Sequence, residues 1–385
     1  MIHVALVALL ANPGSEPTLA VQVDPELTAH LERARSAHGI PGMGALVLRG
    51  NQITIAVTGK RRADGDARLV ATDTFHLGSD TKSMTASIVA RLVDRRLLRW
   101  DETLAEALPE IAARMDPAFK PVTLDMLMRH VAGLPTGGAF TPEFTTGFDD
   151  EHWPIAKQRR WMAERFLSRP PKELPGTRFA YSNYGYLIIG HVVEHATGKT
   201  WEELMRQEIF APLAMTGCGF GPTATSAHPD GNWGHDVKNN AYVPTEEDNP
   251  PLIGPAGTVH CTLVDWARFA AAHAGSGPLG WLTEGSLAHL HEPRALAGVQ
   301  PGKDIALGWG VTRTKPPRLT HSGSNGYNHA EIVVIPPLHA AVLVTSNAGD
   351  EPARTAAKEV LDMLVDGIGV SSEERGSGAT AGLQR

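Results

Sequence analysis

The chain has 385 residues, 42% of them hydrophobic and 20% charged, the balance of a folded protein with a substantial core and not of a disordered or fibrous one. With 35 basic against 42 acidic residues the formal charge is −7, which leaves no basic surplus for a nucleic-acid-binding face or a polybasic membrane patch. Two cysteines, Cys218 and Cys261, are too few for a disulfide scaffold or a thiolate-only metal site, and they read as two buried apolar thiols.

Within residues 1–20, Val4 to Ala11 is a short apolar run with Thr18-Leu19-Ala20 as a tolerable cleavage site, but no Lys or Arg precedes it. The pattern fits a secretory signal and a frayed or strand-like N-terminus about equally. It tilts localisation slightly toward a secreted or periplasmic protein and leaves a cytoplasmic one open. Pro25 in a first turn, with Leu27, Leu31 and Ala34 on one face and Gly39 beyond, predicts a helix. Gly44 to Leu48 and Ile53 to Thr58, flanking Arg49-Gly50-Asn51, predict a tight β-hairpin. From about Lys82 to Ala274 the patterned segments are helical, among them Tyr186 to Ala196, and Thr200 with Glu203 forms a capping box that opens another helix.

Strand character returns in Ile305 to Val311, Glu331 to Ile335 and Ala341 to Thr345, each bounded by Pro, Gly or Asn. Residues 367–385 end in a Gly-, Ser- and Glu-rich stretch that cannot offset its ordering entropy by burial, so a disordered tail is expected. No stretch approaches the ~20 apolar residues of a membrane-spanning helix. The expected fold is α+β over residues 21–366. One antiparallel sheet, built from both chain ends (about 25–80 and 300–366) and flanked by helices, receives a helical insertion over about 82–299.

Three strings carry candidate chemistry. Gly275-Ser276-Gly277-Pro278-Leu279-Gly280 has the glycine spacing of a dinucleotide-binding turn, but it follows the helical run Asp265 to His273 instead of leaving a strand, and reads as that helix's terminator. His191-Val192-Val193-Glu194-His195 places two imidazoles at i and i+4 on one helix face, as zinc hydrolases do. Against a metal site, Leu187, Ile188, Val192 and Ala196 form the packing face, Gly198 ends the helix, and 17 histidines make a chance pair unsurprising. Solvated or locally hydrogen-bonded imidazoles and no metal are expected.

The third constellation has parts in fixed order. Ser79-Asp80-Thr81-Lys82 opens a helix, so at i and i+3 the Lys82 amine can reach the Ser79 hydroxyl, and the helix N-terminus favours negative charge developing there. A serine hydroxyl needs such help to act as a nucleophile. Tyr181-Ser182-Asn183 follows in a turn before an apolar helix. His321-Ser322-Gly323-Ser324 then leads to the strand Glu331 to Ile335, where a strand edge can pair with an extended substrate. Taken singly, Ser79 is also a common N-cap residue, Tyr181 a half-buried aromatic and His321 a loop residue.

Together these motifs resemble those of the serine β-lactamase and D-alanyl-D-alanine carboxypeptidase superfamily, in the branch of class C β-lactamases, related esterases and D-amino-acid peptidases. Leu127-Met128-Arg129-His130-Val131-Ala132-Gly133-Leu134-Pro135, the helix Gly190 to Thr200, and Pro255-Ala256-Gly257-Thr258 with Asp265 and Phe269 extend the resemblance over most of residues 25–350.

The resemblance implies Ser79 as acyl-accepting nucleophile with Lys82 and Tyr181 as the proton relay. Which of the two takes the acylation proton stays open, and Tyr181 is the implied deacylation base. Asn183 is expected to hold the substrate amide and orient Lys82. His321, Ser322 and Gly323 are expected to bind substrate, and the backbone N–H groups of Ser79 and Ser324 to form the oxyanion hole. His321 stands where many β-lactamases carry Lys, and a neutral imidazole attracts a substrate carboxylate less than an ammonium. That disfavours a dedicated β-lactamase, and the Tyr-Ser-Asn plus His-x-Gly combination resembles the D-alanyl-D-alanine carboxypeptidases and several esterases more closely. The resemblance thus implies a carboxypeptidase-like amide or ester hydrolase acting on a small molecule or peptide such as a D-alanyl peptide, with no cofactor. The alternatives are a carboxylesterase or class C-like β-lactamase, and, from another class, a catalytically silent penicillin-binding or sensor protein. Asp80 has no assigned direction, and Trp153, Trp161, Trp233 and Tyr327 are offered as pocket walls or core. The oligomeric state stays open.

Overall fold

In the computed structural model, which describes residues 19–137, 147 and 152–369, the two ends of the chain meet in one sheet. The strands from the N-terminal end are β1 (Ala20–Val23), β2 (Gly42–Arg49) and β3 (Gln52–Gly59); three short ones follow, β4 (Thr74–His76), β5 (Gly219–Phe220) and the hairpin of β6 (Gly234–Lys238) with β7 (Ala241–Thr245). Next come β8 (Val259–Thr262), β9 (Lys303–Ile305), β10 (Gly310–Thr312), β11 (Arg318–Ser324), β12 (His329–Ile335) and β13 (Ala340–Ser346). The main sheet has the order β1-β3-β2-β13-β12-β11-β10-β9. It is antiparallel except that β1 runs parallel to β3, which departs from the wholly antiparallel expectation.

Period-2 alternation makes this sheet the centre of the molecule. On β13, Ala341 and Leu343 join one core, while Ala340, Val342 and Val344 join another. The second core is closed by α1 (Pro25–Ala37) and the C-terminal helix Glu351–Gly369 through Leu27, Leu31, Val360 and Val365. A strand buried on both faces must be apolar throughout, which is why Ala340–Ser346 lacks the polar alternation of a surface strand.

The other core is organised around α2 (Thr81–Asp94), α3 (Ile155–Leu167), α4 (Asn183–Thr197) and α5 (Leu263–His273). Gly198, at φ 69°, closes α4, and the Thr200–Glu203 capping box is formed. α5 ends at His273 and Gly275 follows at φ 77°, so the glycine string there terminates a helix.

The middle of the chain is not purely helical, however. β8 sits between β4 and β5 in a three-stranded sheet, and the β6–β7 hairpin turns on Asn239 and Asn240, both at positive φ as a type I′ turn requires. Ile305 to Val311 is also two strands with a turn between them, not one. Gly308, at φ 76°, makes that turn directly against the backbone of α2, so its neighbours are apolar because the turn is buried. The two cysteines form a disulfide, correcting the free-thiol expectation: Gly219 pairs with His260, and this antiparallel register sets Cys218 opposite Cys261. No helix among the described residues is long and apolar enough to cross a membrane. The N-terminal apolar run and the Ser371 to Arg385 tail lie outside the described residues.

Candidate active site

The Ser79 motif leaves β4, passes through a 3-10 turn over Gly78–Asp80 and enters α2. Lys82, one turn on, is fully buried; its Nζ lies 2.9 Å from Ser79 Oγ and donates to the carbonyl oxygen of Ala256 at 2.7 Å. The Tyr181 hydroxyl donates to the same Ser79 oxygen at 2.8 Å. Two side chains, one from the start of α2 and one from the turn before α4, thus converge on the Ser79 hydroxyl. The ammonium position also lies 4.9 Å from the centre of the Tyr181 ring.

The electrostatics of the two partners run in opposite directions. Burial pushes the Lys82 amine well below its ordinary range, with only Asp80 opposing. Burial pushes the Tyr181 phenol above its ordinary range, outweighing the hydrogen bond to Ser79. Burial thus favours the uncharged form of each group. Asp80 is also buried; desolvation and then Glu331 raise its carboxyl well above the carboxylate range, and neither oxygen has a hydrogen-bond partner among the described residues.

His130 supports the tyrosine segment. It sits at φ 59° at the end of the short helix Leu124–Met128 and accepts the Ser182 N–H on Nδ1 at 3.1 Å, with its ring 4.5 Å from that of Tyr181. Burial, then Lys82 and His321, hold it neutral, so the acceptor role is available at neutral pH. Asn183 begins α4, and its Oδ1 is buried without a partner among the described residues. Among the described residues no hydrogen bond joins it to Lys82. The Lys82 amine donates to the Ala256 carbonyl of the 254–257 turn.

β11 completes the site. β10 covers only Arg318–Thr320, so among the described residues no strand pairs with the edge of His321–Ser324 on that side. His321 lies 2.7 Å through Nδ1 from the Gly308 carbonyl, which can only accept, so Nδ1 carries the proton; burial and then Lys82 lower its pKa to about 4. Ser322 alternates to the opposite face of the strand and is exposed. Gly323 and Gly78 press the two backbones together: a Cβ on Gly323 would collide with the Leu77 carbonyl and lie 2.6 Å from the Ser79 nitrogen, and one on Gly78 would collide with the Ser324 nitrogen. Ser324 Oγ donates to Asn328 O and accepts the Gly326 N–H, which closes the turn after the strand.

A cavity of about 930 Å³ borders this edge, lined by Met128, His130, Phe179, Tyr181, Trp309 and His321 among others. Its aromatic walls are Phe179, Tyr181 and Trp309. Trp153, Trp161, Trp233 and Tyr327 do not line it; Trp233, for example, is buried beneath the Arg62 guanidinium. Glu194 of the His-rich string accepts from Arg159 Nη1 at 2.5 Å, and Glu110 lies 3.7 Å from His191 and 3.4 Å from His195. His191 is buried and its Nε2 has no hydrogen-bond partner among the described residues, so this imidazole is neither solvated nor locally hydrogen-bonded as expected, and Glu194 serves the Arg159 cluster.

Lys82 and Tyr181 thus meet at the Ser79 oxygen within a mixed sheet-and-helix fold. Residues 27–365 match the Beta-lactamase family, and the chain belongs to it. It is 28% identical over 331 residues to penicillin-binding protein 4 of Amycolatopsis lactamdurans, covering 82% of this chain and 83% of that one. It is 30% identical over 239 residues to esterase EstB of Burkholderia gladioli, spanning 58% of this chain and 57% of the relative. Over 218 residues it is 28% identical to the D-alanyl-D-alanine-carboxypeptidase/endopeptidase AmpH of Escherichia coli strain K12, 55% and 53% of the two chains. A class C beta lactamase from Rhodobacter sphaeroides superposes with a TM-score of 0.70 at 20% identity, over 89% of this chain and 99% of that one. The family is one of serine hydrolases working through an acyl-enzyme.

Proposed function

We propose that the protein is a serine hydrolase that forms an acyl-enzyme on Ser79 and cleaves an amide or ester such as a D-alanyl peptide. The observation that carries the reading is the convergence of Lys82 and Tyr181 on Ser79 Oγ at 2.9 and 2.8 Å. As Oγ attacks the carbonyl carbon, its proton passes to the neutral Lys82 amine. The backbone N–H groups of Ser79 and Ser324 receive the oxyanion, a contribution of roughly 3 kcal/mol per donor in related chemistry. The Tyr181 hydroxyl, kept protonated by burial, delivers a proton to the leaving atom and is refilled from Lys82. Water then repeats the sequence in reverse on the acyl-enzyme. Asn183 Oδ1, buried and without a partner among the described residues, would accept a substrate N–H, and the edge of His321–Ser324 that β10 leaves uncovered would pair with an extended chain.

A second reading, a carboxylesterase, is favoured by His321. An imidazole neutral at pH 7 offers no charge to a terminal carboxylate, and the walls Met128, Phe179 and Trp309 suit an apolar acyl group. Intact-protein mass after incubation with benzylpenicillin, with Ser79→Ala as control and the free drug assayed, tests the scheme. A persistent Ser79-dependent adduct supports a peptidase-like site with slow deacylation. Rapid drug hydrolysis without accumulation supports a β-lactamase. Intact drug with Ser79-dependent cleavage of p-nitrophenyl butyrate supports the esterase. No Ser79-dependent chemistry on drug, ester or D-alanyl-D-alanine peptide leaves a silent binder.

A further inference from the structure

We infer that Asp248, with its neighbour Asn249, is a positioning residue for the Ser79 reaction: it clamps together the backbone segments that carry the nucleophile, the end of β11 and the carbonyl turn that holds Lys82. The inference rests on the acyl-enzyme reading above. Asp248 and Asn249 lie just after the β6–β7 hairpin, outside all three motifs. The Asp248 side chain is only 7% exposed, and its Oδ1 gathers three groups. It lies 3.0 Å from Nε2 of the fully buried His76, accepts the Asn325 Nδ2 at 2.8 Å, and accepts the Asn249 N–H at 2.7 Å.

Each contact leads to the reacting centre. His76 Nδ1 accepts the N–H of Gly78 at 3.1 Å, the residue before Ser79. With Nδ1 occupied as an acceptor, Nε2 is the ring nitrogen that faces Asp248 Oδ1, in contact at 3.0 Å but without hydrogen-bond geometry. Asn325 follows Ser324, and its Oδ1 accepts the N–H groups of Tyr327 and Asn328, fixing the turn that leaves β11. Asn249 donates from Nδ2 to the Gly257 carbonyl at 2.7 Å, next to Ala256, whose carbonyl holds Lys82.

The two proposed oxyanion donors belong to separate segments, and Gly78 and Gly323 show how tightly those segments abut. Among the described residues, no strand pairing within the main sheet joins the 77–80 segment to β11. The buried Asp248 Oδ1, in contact with His76 and hydrogen-bonded to Asn325, spans them. Misplacement of reacting groups by about 1 Å costs on the order of 100-fold in rate, so the clamp acts on turnover more than on binding.

The test compares wild type, Ser79→Ala, Asp248→Ala and Asp248→Asn in the full chain, with kcat and KM on p-nitrophenyl butyrate, the acylation rate by benzylpenicillin from intact mass, and melting temperature. Asp248→Ala is expected to lower kcat or the acylation rate roughly 10- to 100-fold with KM within about 3-fold, while Asp248→Asn, which keeps the acceptor oxygen, recovers most of the loss. A His76→Ala, Asp248→Ala double variant should lose little more than Asp248→Ala alone. If Asp248→Ala turns over like wild type, raises KM alone, or loses rate only in proportion to its unfolded fraction, the clamp is overturned and the acyl-enzyme reading stands. If wild type equals Ser79→Ala on both probes, the acyl-enzyme reading itself fails and the clamp falls with it.

Discussion

Gly323 abuts Ser79 so closely that a Cβ placed on the glycine would sit 2.6 Å from the serine nitrogen and inside the Leu77 carbonyl. Glycine here is a condition for close approach of two backbones, one carrying the nucleophile and the other the strand edge on which substrate would pair. Gly323→Ala must therefore push β11 away from the 3-10 turn and widen the space between the Ser79 and Ser324 N–H groups. The expected result is a fall in kcat of about 100-fold or more, the size of losing one oxyanion donor. Overpacking should also cost about 1–3 kcal/mol in stability. Steady-state kinetics with parallel thermal melts check this; an alanine variant with unchanged kcat removes these N–H groups from the mechanism.

A buried amine next to the nucleophile sets the pH dependence. Free lysine titrates near ~10.4, and burial holds Lys82 well below that. Turnover should rise with pH through the lowered pKa of Lys82 and be lost below it, where the ammonium cannot accept the Ser79 proton. Lys82→Arg, which keeps a cation that never releases its proton, should be inactive throughout. The sign for stability follows. The unfolded chain binds more protons than the folded one between the lowered folded pKa and ~10.4, so burying Lys82 costs stability most below the folded pKa, and the cost disappears as pH rises through that window. Lys82→Met should raise the denaturation midpoint at pH 7 and flatten the stability gain between pH 7 and pH 9. Parallel slopes in the two proteins would show that the amine is not carried neutral.

The chemistry was more legible than the topology for a physical reason. Ser79 and Lys82 share a helix face because i and i+3 always do, and Asn183 begins a helix because an apolar run follows it, so local spacing places both. Long-range register is not written locally. Nothing near Cys218 says that Gly219 pairs with His260, yet that pairing creates the disulfide. The parallel β1 and the division of Ile305 to Val311 were missed for related reasons. An edge strand takes its direction from the neighbour it finds, and a turn buried against α2 has the apolar residues of a strand. His130 was visible as part of a loop, but its left-handed backbone and its hold on Ser182 are tertiary facts. The roles of Asp248 and of the Ala256 carbonyl depend on contacts between distant segments.

The Cys218–Cys261 bridge closes a loop of sequence separation 43 and joins β5 to β8, the strand that follows the Lys82-holding turn. Loop closure of this size removes about 2–4 kcal/mol of unfolded-state freedom. Alkylation of the denatured protein without reductant should leave both cysteines unmodified, as read by mass. Cys218→Ser with Cys261→Ser should lower the denaturation free energy by about that amount while Ser79-dependent turnover per folded molecule stays within about 2-fold. Full labelling of both thiols in protein prepared without reductant contradicts the bridge.

Arg159 separates a structural reading of the His-x-x-Glu-His string from a catalytic one. Its guanidinium is buried in α3, bonded to Glu194 and Glu202 and to the Leu252 and Pro251 carbonyls. Glu194 also accepts the Trp201 N–H at 3.0 Å, so this carboxylate ties α4 to the helix that follows and is spent on structure. Removing the cation leaves a buried carboxylate without its partner, so Arg159→Ala should cost about 3–5 kcal/mol. His191 is held near a pKa of about 4, chiefly by burial, and would be neutral at pH 7. His191→Ala with His195→Ala should leave Ser79-dependent turnover within about 3-fold and unresponsive to EDTA, whereas activity lost on chelation and restored by added zinc would transfer the chemistry to this helix.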